Sequence, residues 1–187
     1  SGISLFCKNN ESRERIGDLL GANQERREFQ CLVHGTPKED VFNVDAKIGW
    51  VAGQPEIMRA GKRGKFARTK FEVLERFAGM TMLRCIPETD RKHQIRAHLN
   101  YVRLSPVGDS SYGGKLLMLS RLKKNYRPRR DGTEKPLIDR TALHYNRLEF
   151  DHPFTGEKVK IESELPKDIT VALKYLRKYA FNQITNY

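Results

Sequence analysis

The stretch that decides the fold class is TKFEVLERFAGMTMLRCI, residues 69–86. It contains two runs, 69–77 and 80–86, that are rich in the β-branched, aromatic and aliphatic residues typical of strands. Ala78 and Gly79 separate the runs, and a glycine at such a junction favours a tight turn. The stretch therefore predicts a β-hairpin, and with it an antiparallel sheet.

The segments on either side of this hairpin add further strands and helices. Strands are predicted at 27–35, 43–50, 142–150 and 157–163, and helices at 11–20, at 91–102, within 115–135 and after Pro166. Hairpins between neighbouring strands, with helices interspersed, predict an α+β fold whose mainly antiparallel, mixed sheet is flanked by helices. Because no linker divides the chain, we expect one domain over residues 1–187.

The composition excludes several classes of protein. The chain has 187 residues, a net charge of +12 and 38% hydrophobic residues, which is typical of a globular protein. Its apolar runs are shorter than the roughly 18–20 residues that cross a membrane, and we expect no secretion signal. The three cysteines are far apart, which argues against disulfides and zinc sites and for a reducing compartment. We expect a cytoplasmic monomer that uses no metal and no cofactor.

The positive charge is concentrated in two blocks. The first basic block, residues 58–70, carries six Lys and Arg residues and no acid, and the second basic block, residues 115–135, carries eight against two acids. Together they hold the whole net charge. Such concentration indicates a polyanionic partner such as nucleic acid, and solvated basic loops are the alternative. The first basic block is rich in glycine and has no hydrophobic period, so a loop is expected there.

The densest polar cluster is TDRKHQIRAH, residues 89–98, where a strand gives way to a helix. Arg96 lies beside the apolar stripe of this helix, where a partly buried guanidinium needs a carboxylate or a phosphate as its partner. A network of capping side chains with solvated basic residues is the alternative. His93 and His98 are five residues apart, on different sides of a helix, so a shared zinc ion is not expected and His98 is predicted to be a packing residue.

Four segments match one set of motifs in order and spacing. RKHQIRAHLNYVRLSPVGDSSYGG (91–114) is similar to R-x-H-Q-I/L-R-x-H-L followed by P-I-x-G-D-x-x-Y-G, and REFQCLVHG (27–35) is similar to K-x-Y-x-A-x-V-x-G. ALHYNRLEFDHPFTGE (142–157) is similar to L-H-A-x-x-L-x-F-x-H-P-x-T-G-E, and residues 1–6 are similar to the segment directly after H-R-L-D-x-x-T. These motifs belong to the RluA-type RNA pseudouridine synthases, and the chain resembles this family over almost its whole length.

The resemblance implies that the protein isomerises uridine to pseudouridine in structured rRNA or tRNA without a cofactor. It assigns the nucleophile or base to an aspartate of the H-R-L-D motif and pairs that carboxylate with Arg96. Phe29 stands where the family has a tyrosine that stacks on the target base. The residues expected to bind RNA are Arg91, Lys92, His93, Arg59, Lys62, Arg63, Lys65, Lys123, Lys124, Arg127, Arg129 and Arg130.

The sequence departs from the family pattern at three positions. The catalytic aspartate falls before Ser1 in the pattern and is absent from the chain; we expect a truncation there, and a vector-derived Ser-Gly is the alternative. Phe29 can stack on a base but has no hydroxyl to exchange a proton. Asp90 stands directly before Arg91, where the family motif T-G-R-x-H-Q has a glycine.

These features support three hypotheses about function. We expect the full-length protein to be an RNA pseudouridine synthase and this chain to be its catalytic domain without the first motif, able to bind RNA but not to isomerise uridine. The alternatives are a non-catalytic RNA-binding or ribosome-assembly homologue and a basic protein-interaction domain without an RNA partner. Without its aspartate, Arg96 is expected to face a cleft and to meet solvent, an anion or a substitute acid.

Overall fold

A computed structural model describes residues 1–22, 25–127 and 131–180 of the chain. In chain order the elements are α1 (Asn10–Gly21), β1 (Arg26–His34), β2 (Val41–Asp45), β3 (Lys47–Val51), β4 (Gln54–Gly61), β5 (Arg68–Phe77), β6 (Met80–Pro87), α2 (Gln94–Tyr101), α3 (Leu119–Leu122), β7 (Leu143–Asp151), β8 (Lys158–Glu162) and α4 (Lys167–Tyr179). None of these helices is long and apolar enough to span a bilayer.

Six strands form one sheet in the order β2-β5-β6-β1-β7-β8, and every neighbouring pair is antiparallel. The predicted hairpins β5–β6 and β7–β8 are both present, so the predicted α+β fold with a mainly antiparallel sheet is confirmed. The first residues of the chain add a short parallel bridge, because Gly2 lies beside Tyr145 of β7. A Cβ on Gly2 would come within 2.2 Å of the Tyr145 carbonyl oxygen, so this close approach requires glycine.

The central strand β1 is buried on both faces of the sheet. Cys31 and Val33 point into a core that they share with α2 and with the β3–β4 hairpin. Leu32 points to the other face, into a second core built largely by α4. The alternation that the sequence shows at 27–35 therefore separates two hydrophobic cores instead of a core and a solvent face.

Three local predictions differ from the structure. The first basic block is not one loop, because β4 continues to Gly61 and β5 begins at Arg68. Within β4 the buried Met58 and Ala60 flank the exposed Arg59, which is the alternation of a strand. The charge and glycine content of the block do not indicate this alternation. The predicted strand 43–50 is two strands, since the buried Ala46 separates β2 in the main sheet from β3 in a two-stranded sheet.

The third difference concerns the start of α2. The helix begins at Gln94 rather than at residue 91, because His93 has φ 56° and its side chain does not cap the helix. A non-glycine residue in this left-handed region is uncommon and often marks a constrained site. The predicted α1, α3 and α4 are confirmed, with Asn9 accepting a hydrogen bond from the Ser12 backbone N–H at the start of α1.

Candidate functional site

Arg96 of α2 is paired with Asp109. Its Nε donates to Asp109 Oδ2 at 2.6 Å and its Nη2 to Oδ1 at 2.7 Å, which is a bidentate ion pair. The Asp109 side chain is 1% exposed and that of Arg96 is 20% exposed. The hydrogen bonds from Arg96 to Asp109 raise the pKa of the guanidinium above its usual value. The carboxylate that Arg96 needs is therefore present within the chain.

The turn that carries Asp109 is held against the rest of the fold. Gly108 has φ 73°, and a Cβ there would lie 2.2 Å from the carbonyl oxygen of Arg140. The Gly114 N–H donates to the backbone carbonyl of Asp109 at 2.8 Å, and a Cβ on Gly114 would lie 1.8 Å from the carbonyl oxygen of Pro106. The glycines on both sides of the turn therefore let the backbone pack closely enough to bury Asp109 beneath α2.

Tyr112, three residues after Asp109, completes the support of Arg96. The guanidinium carbon of Arg96 lies 4.5 Å from the centre of the Tyr112 ring, within cation–π range. Tyr112 Oη accepts a hydrogen bond from the Met58 backbone N–H at 3.0 Å and lies 3.1 Å from His93 Nδ1. Burial, then the charges of Arg96 and Lys92, lower the pKa of His93, which favours its neutral ring.

A cavity of about 220 Å³ lies beside Arg96. Phe29 of β1 and Arg96 both line it, so the structure brings together the two residues that the resemblance selects on distant segments. The other lining residues are Arg27, Pro87, Thr89, Asp90, Arg91, His93, Gln94, Ile95 and Leu143. Arg96 thus faces a cleft, as expected from the sequence, while its bidentate partner is Asp109 of the G-D-x-x-Y-G motif; the role of Arg96 in catalysis stays a prediction.

The ring of Phe29 stacks on Tyr145, its cross-strand partner on β7. The ring centres are 4.3 Å apart and the planes are inclined by 15°. Burial raises the pKa of Tyr145 to about 12. In the family pattern the position of Tyr145 is an alanine, so this chain has Phe and Tyr where the pattern has Tyr and Ala. The stack fixes the Phe29 ring at the edge of the cavity.

Asp90, the departure from the family glycine, takes part in an ion-pair cluster at the rim of the cavity. Arg27 Nη1 lies 3.0 Å from Asp90 Oδ2, and Arg27 Nε lies 2.9 Å from Glu25 Oε1. Desolvation raises the pKa of Glu25. The resemblance did not select Arg27, Asp109 or Tyr112 as site residues, although Asp109 and Tyr112 belong to the G-D-x-x-Y-G motif.

The loop before α2 contains a hydrogen-bonded network, as the alternative interpretation of residues 89–98 expected. Thr89 Oγ1 donates to Gln94 Oε1 at 2.8 Å, and Gln94 Nε2 donates to Thr69 Oγ1 at 3.0 Å. Thr69 Oγ1 also lies 2.9 Å from His98 Nδ1. His98 Nε2 is 3.1 Å from the Ala46 carbonyl, so the prediction that His98 is a packing residue is confirmed. The described residues contain no group of three His, Cys, Asp or Glu side chains that could hold a metal ion.

The first basic block divides into paired and unpaired cations. Arg68 binds Asp45 at 2.7 Å and Lys70 binds Glu72 at 2.8 Å, so two of its six charges are neutralised locally. The other four cations of this block are exposed and have no acidic partner in the described ranges. They are Arg59, Lys62, Arg63 and Lys65, the residues of this block that were predicted to bind RNA.

Two predicted residues that precede α2 contact neighbouring segments. Arg91 Nε donates to the Phe66 carbonyl at 3.1 Å, and Lys92 Nζ lies 3.3 Å from Glu56 Oε2. Both side chains remain partly or fully accessible, and Arg91 lines the cavity. Their positions are compatible with phosphate binding, which stays a prediction.

The second basic block is anchored differently from the first. It contains α3, whose Leu122 packs against the core on the α4 face of the sheet. Lys123, Lys124 and Arg127 have no acidic partner among the residues that the structure describes. Arg129 and Arg130, which were also predicted to bind RNA, lie outside the described residues.

Comparison with solved structures agrees with a pseudouridine synthase fold. The human RNA pseudouridylate synthase domain containing 4 protein is 20% identical, with a TM-score of 0.68 over 90% of this chain and 69% of that chain. The human RNA pseudouridylate synthase domain containing 1 protein is 18% identical, with a TM-score of 0.64 over 91% of this chain and 73% of that chain.

The model of the RNA pseudouridylate synthase family matches residues 1–101, and the chain belongs to this family. It is 35% identical over 178 residues to "Uncharacterized RNA pseudouridine synthase YlyB" of Bacillus subtilis, covering 95% of this chain and 53% of the relative. It is 34% identical over 182 residues to "Ribosomal large subunit pseudouridine synthase D" of Pseudomonas aeruginosa, covering 95% and 54%. The RluA-type resemblance is confirmed, and the chain spans about half the length of these relatives.

Proposed function

We propose that the protein to which this chain belongs isomerises uridine to pseudouridine in RNA. In that reaction the N1–C1′ bond of uridine breaks, a C5–C1′ bond forms, and the hydrogen on C5 is replaced while N1 gains one. The observation that carries the proposal is that Arg96 and Phe29, brought from α2 and β1, line one cavity in a chain of this family. The reaction involves no net change of oxidation state, and the resemblance implies that it proceeds without a cofactor.

Each residue has a defined task in this proposal. Phe29, fixed by its stack with Tyr145, presents a flat apolar surface on which the extruded uracil stacks. The Arg96 guanidinium has its Nε and Nη2 committed to Asp109, which leaves Nη1 free to bind an anionic or polar group of the substrate or a second carboxylate. Asp109 and Tyr112 are positioning residues, because they act through Arg96.

The family pattern supplies the nucleophile or base as an aspartate from the segment that precedes the Ser1 position. The geometry beside Ser1 supports this part of the proposal. The Ser1 backbone nitrogen lies 3.3 Å from the carbonyl oxygen of Leu143, and Leu143 lines the cavity. The position of Ser1 is therefore in contact with the backbone of a residue that lines the cavity which Arg96 faces.

We propose large-subunit ribosomal RNA as the substrate class and the cytoplasm as the site of action. The support is the function named for the relative from Pseudomonas aeruginosa, a ribosomal large subunit pseudouridine synthase D. The unpaired cations of the first basic block would bind phosphates of the folded RNA around the target. We further propose that the protein acts as a monomer.

The test compares the full-length protein with two arginine variants. Each protein is incubated with total rRNA and tRNA, and pseudouridines are mapped at single-nucleotide resolution. Arg96→Ala should lose modification. Arg177→Ala should retain it, because Arg177 makes a similar bidentate pair with Glu75 but does not line the cavity. Unchanged modification by the Arg96 variant would overturn the role assigned to this residue.

A non-catalytic RNA-binding protein is the second candidate. Two observations favour it: Phe29 lacks a hydroxyl, and Asp109 already satisfies two donors of Arg96. If this candidate is correct, the full-length wild-type protein binds rRNA but leaves every uridine unmodified, whereas the enzyme modifies at least one position.

A further inference from the structure

The β3–β4 hairpin exposes Trp50, the single tryptophan of the chain. Its side chain is 65% exposed, although indole is one of the largest apolar groups in proteins. The hairpin forms its own two-stranded sheet, and Trp50 pairs there with Met58. The ring lies outside the hydrophobic cores of the described residues, so its surface is accessible to a ligand.

A groove of about 240 Å³ runs along Trp50. Its charged lining residues are Arg59, Lys62 and Arg63, and the remaining lining is Gly49, Ala60 and Gly61. These three cations have no acidic partner in the ranges that the structure describes, so their charge is available to a ligand. The groove is smaller than the roughly 300–1,000 Å³ typical of sites for drug-sized ligands, so it suits a group no larger than about one base.

The basic turn that carries two of these cations is fixed against the tryptophan strand. Gly64 has φ 107°, and a Cβ there would lie 2.1 Å from the carbonyl oxygen of Ile48. The Ile48 N–H donates to the Lys65 carbonyl at 2.8 Å, and the Lys65 N–H donates to the Ile48 carbonyl at 2.9 Å. Lys62 and Arg63 are therefore held beside Trp50 by backbone contacts, before any ligand binds.

Lys92 fixes the indole from outside the groove. Its Nζ lies 5.0 Å from the centre of the Trp50 ring and 3.3 Å from Glu56 Oε2. Lys92 is not among the residues that line the groove. A cation–π contact of this kind stabilises the ring position while a flat surface stays open.

The hairpin is also joined to the cavity at Arg96. Met58, the cross-strand partner of Trp50, donates its backbone N–H to Tyr112 Oη at 3.0 Å. The Tyr112 ring lies against the guanidinium of Arg96, with 4.5 Å between the Arg96 Cζ atom and the ring centre. A nucleotide bound at Trp50 is therefore held in a fixed relation to a uridine in the cavity.

We propose that Trp50, Arg59, Lys62 and Arg63 form a binding site for one unpaired nucleotide of the substrate RNA, separate from the uridine cavity. The base stacks on the indole, and its phosphates contact the three cations. This arrangement of an aromatic platform in a basic groove is how proteins bind single-stranded nucleic acid with little dependence on sequence. The inference rests on the proposed function for the identity of the RNA, but the binding itself is measured without turnover.

The fluorescence of the single tryptophan reports on this site directly. The 187-residue chain is titrated with a short unstructured uridine-rich RNA and with an RNA of the same length and charge that lacks its bases. Base stacking should quench Trp50 fluorescence saturably with the base-containing RNA and leave it nearly unchanged with the abasic RNA. Equal quenching by both RNAs, or binding measured by anisotropy without quenching, would overturn the proposal.

Variants of Trp50 supply the second measurement. Removing one base-stacking contact corresponds to roughly a 5- to 150-fold loss of affinity, so Trp50→Ala should weaken RNA binding by that factor while Trp50→Phe retains most of it. Phe154→Ala is the matched control, because Phe154 is also exposed but lies on the β7–β8 turn. Circular dichroism verifies that each variant is folded, and wild-type affinity in a folded Trp50→Ala protein contradicts the site.

The two proposals fail in distinguishable ways. Quenching by base-containing RNA with no pseudouridine formed by the full-length protein supports the Trp50 site and rejects the enzyme. Pseudouridine formation with unaltered RNA affinity of the Trp50→Ala variant rejects the site and keeps the enzyme.

Discussion

The buried carboxylate of Asp109 offers the most direct test of the site geometry. Asp109→Asn keeps the shape of the side chain but removes the charge that two N–H groups of Arg96 bind at 2.6 and 2.7 Å. Breaking a buried ion pair costs about 3–5 kcal/mol, because the remaining charge is left without compensation. Since the Arg96 side chain is 20% exposed and water can reach part of it, we expect a loss near the lower limit, about 3 kcal/mol.

Urea denaturation and thermal unfolding, both monitored by circular dichroism, measure this loss as a change in the free energy of unfolding and in the melting temperature. For a domain of this size, about 3 kcal/mol corresponds to a decrease of roughly 6–12 °C in the melting temperature. Glu75→Gln is the matched control, because it removes the carboxylate of a bidentate pair whose partner Arg177 is 55% exposed. That surface pair should contribute less than about 1 kcal/mol. Equal losses in the two variants would refute the argument that burial makes the Asp109–Arg96 pair important.

The remaining predictions concern the aromatic stack, the buried histidine and the first basic block. Phe29→Ala should reduce the modification rate of the full-length protein about 100-fold, because the uracil is then misplaced. Tyr145→Phe keeps the aromatic ring and should leave the modification rate nearly unchanged. A large loss of rate in Tyr145→Phe would instead indicate a chemical role for the hydroxyl. Burial lowers the pKa of His98 in the folded protein below the ordinary value of 6.5. The stability that the neutral ring contributes is therefore fully present above pH 6.5 and is lost as the pH falls through the folded pKa. A midpoint at or above 6.5 in a proton NMR titration of His98 would contradict this. A Lys62→Ala/Lys65→Ala variant should flatten the dependence of log affinity on log salt by about 1.4 for unpaired RNA, and an unchanged slope would show that these lysines do not meet phosphates.

The sequence predicts the elements whose signals are local. The β5–β6 hairpin at 69–86 and the helix after Pro166 follow from alternation, a turn glycine and helical spacing within a few residues. The strand order cannot be predicted from local signals, because β1 pairs with β6 and β7, which lie far away in sequence. Nothing within residues 26–34 specifies those partners.

The first basic block shows why a composition signal can hide a strand. Lysine, arginine and glycine dominate residues 58–70, yet Met58 and Ala60 are buried on the face of β4 that packs towards α2. Small apolar residues between charged ones give a weak hydrophobic alternation, and the tertiary contact with α2 decides the structure.

The candidate site was predicted in part. The need of Arg96 for a carboxylate follows from its place beside the apolar stripe of α2, and Phe29 follows from the resemblance. The sequence does not identify the carboxylate that pairs with Arg96 in this chain, because Asp109 lies in a turn whose path depends on the close packing of Gly108 and Gly114. Such a turn has no period in the sequence, so its contact with α2 emerges only in three dimensions.

The measurement that tests the central claim most directly is the release of tritium from RNA that carries 5-tritiated uridine. Formation of the C5–C1′ bond removes the hydrogen on C5, so each pseudouridine formed releases one tritium to water. The full-length wild-type protein should release tritium from rRNA, and Arg96→Ala should do so at least about 100-fold more slowly, because it removes the charged group that positions the reacting partners at the cavity. No release by the wild-type protein, or equal rates in the two proteins, would contradict the account.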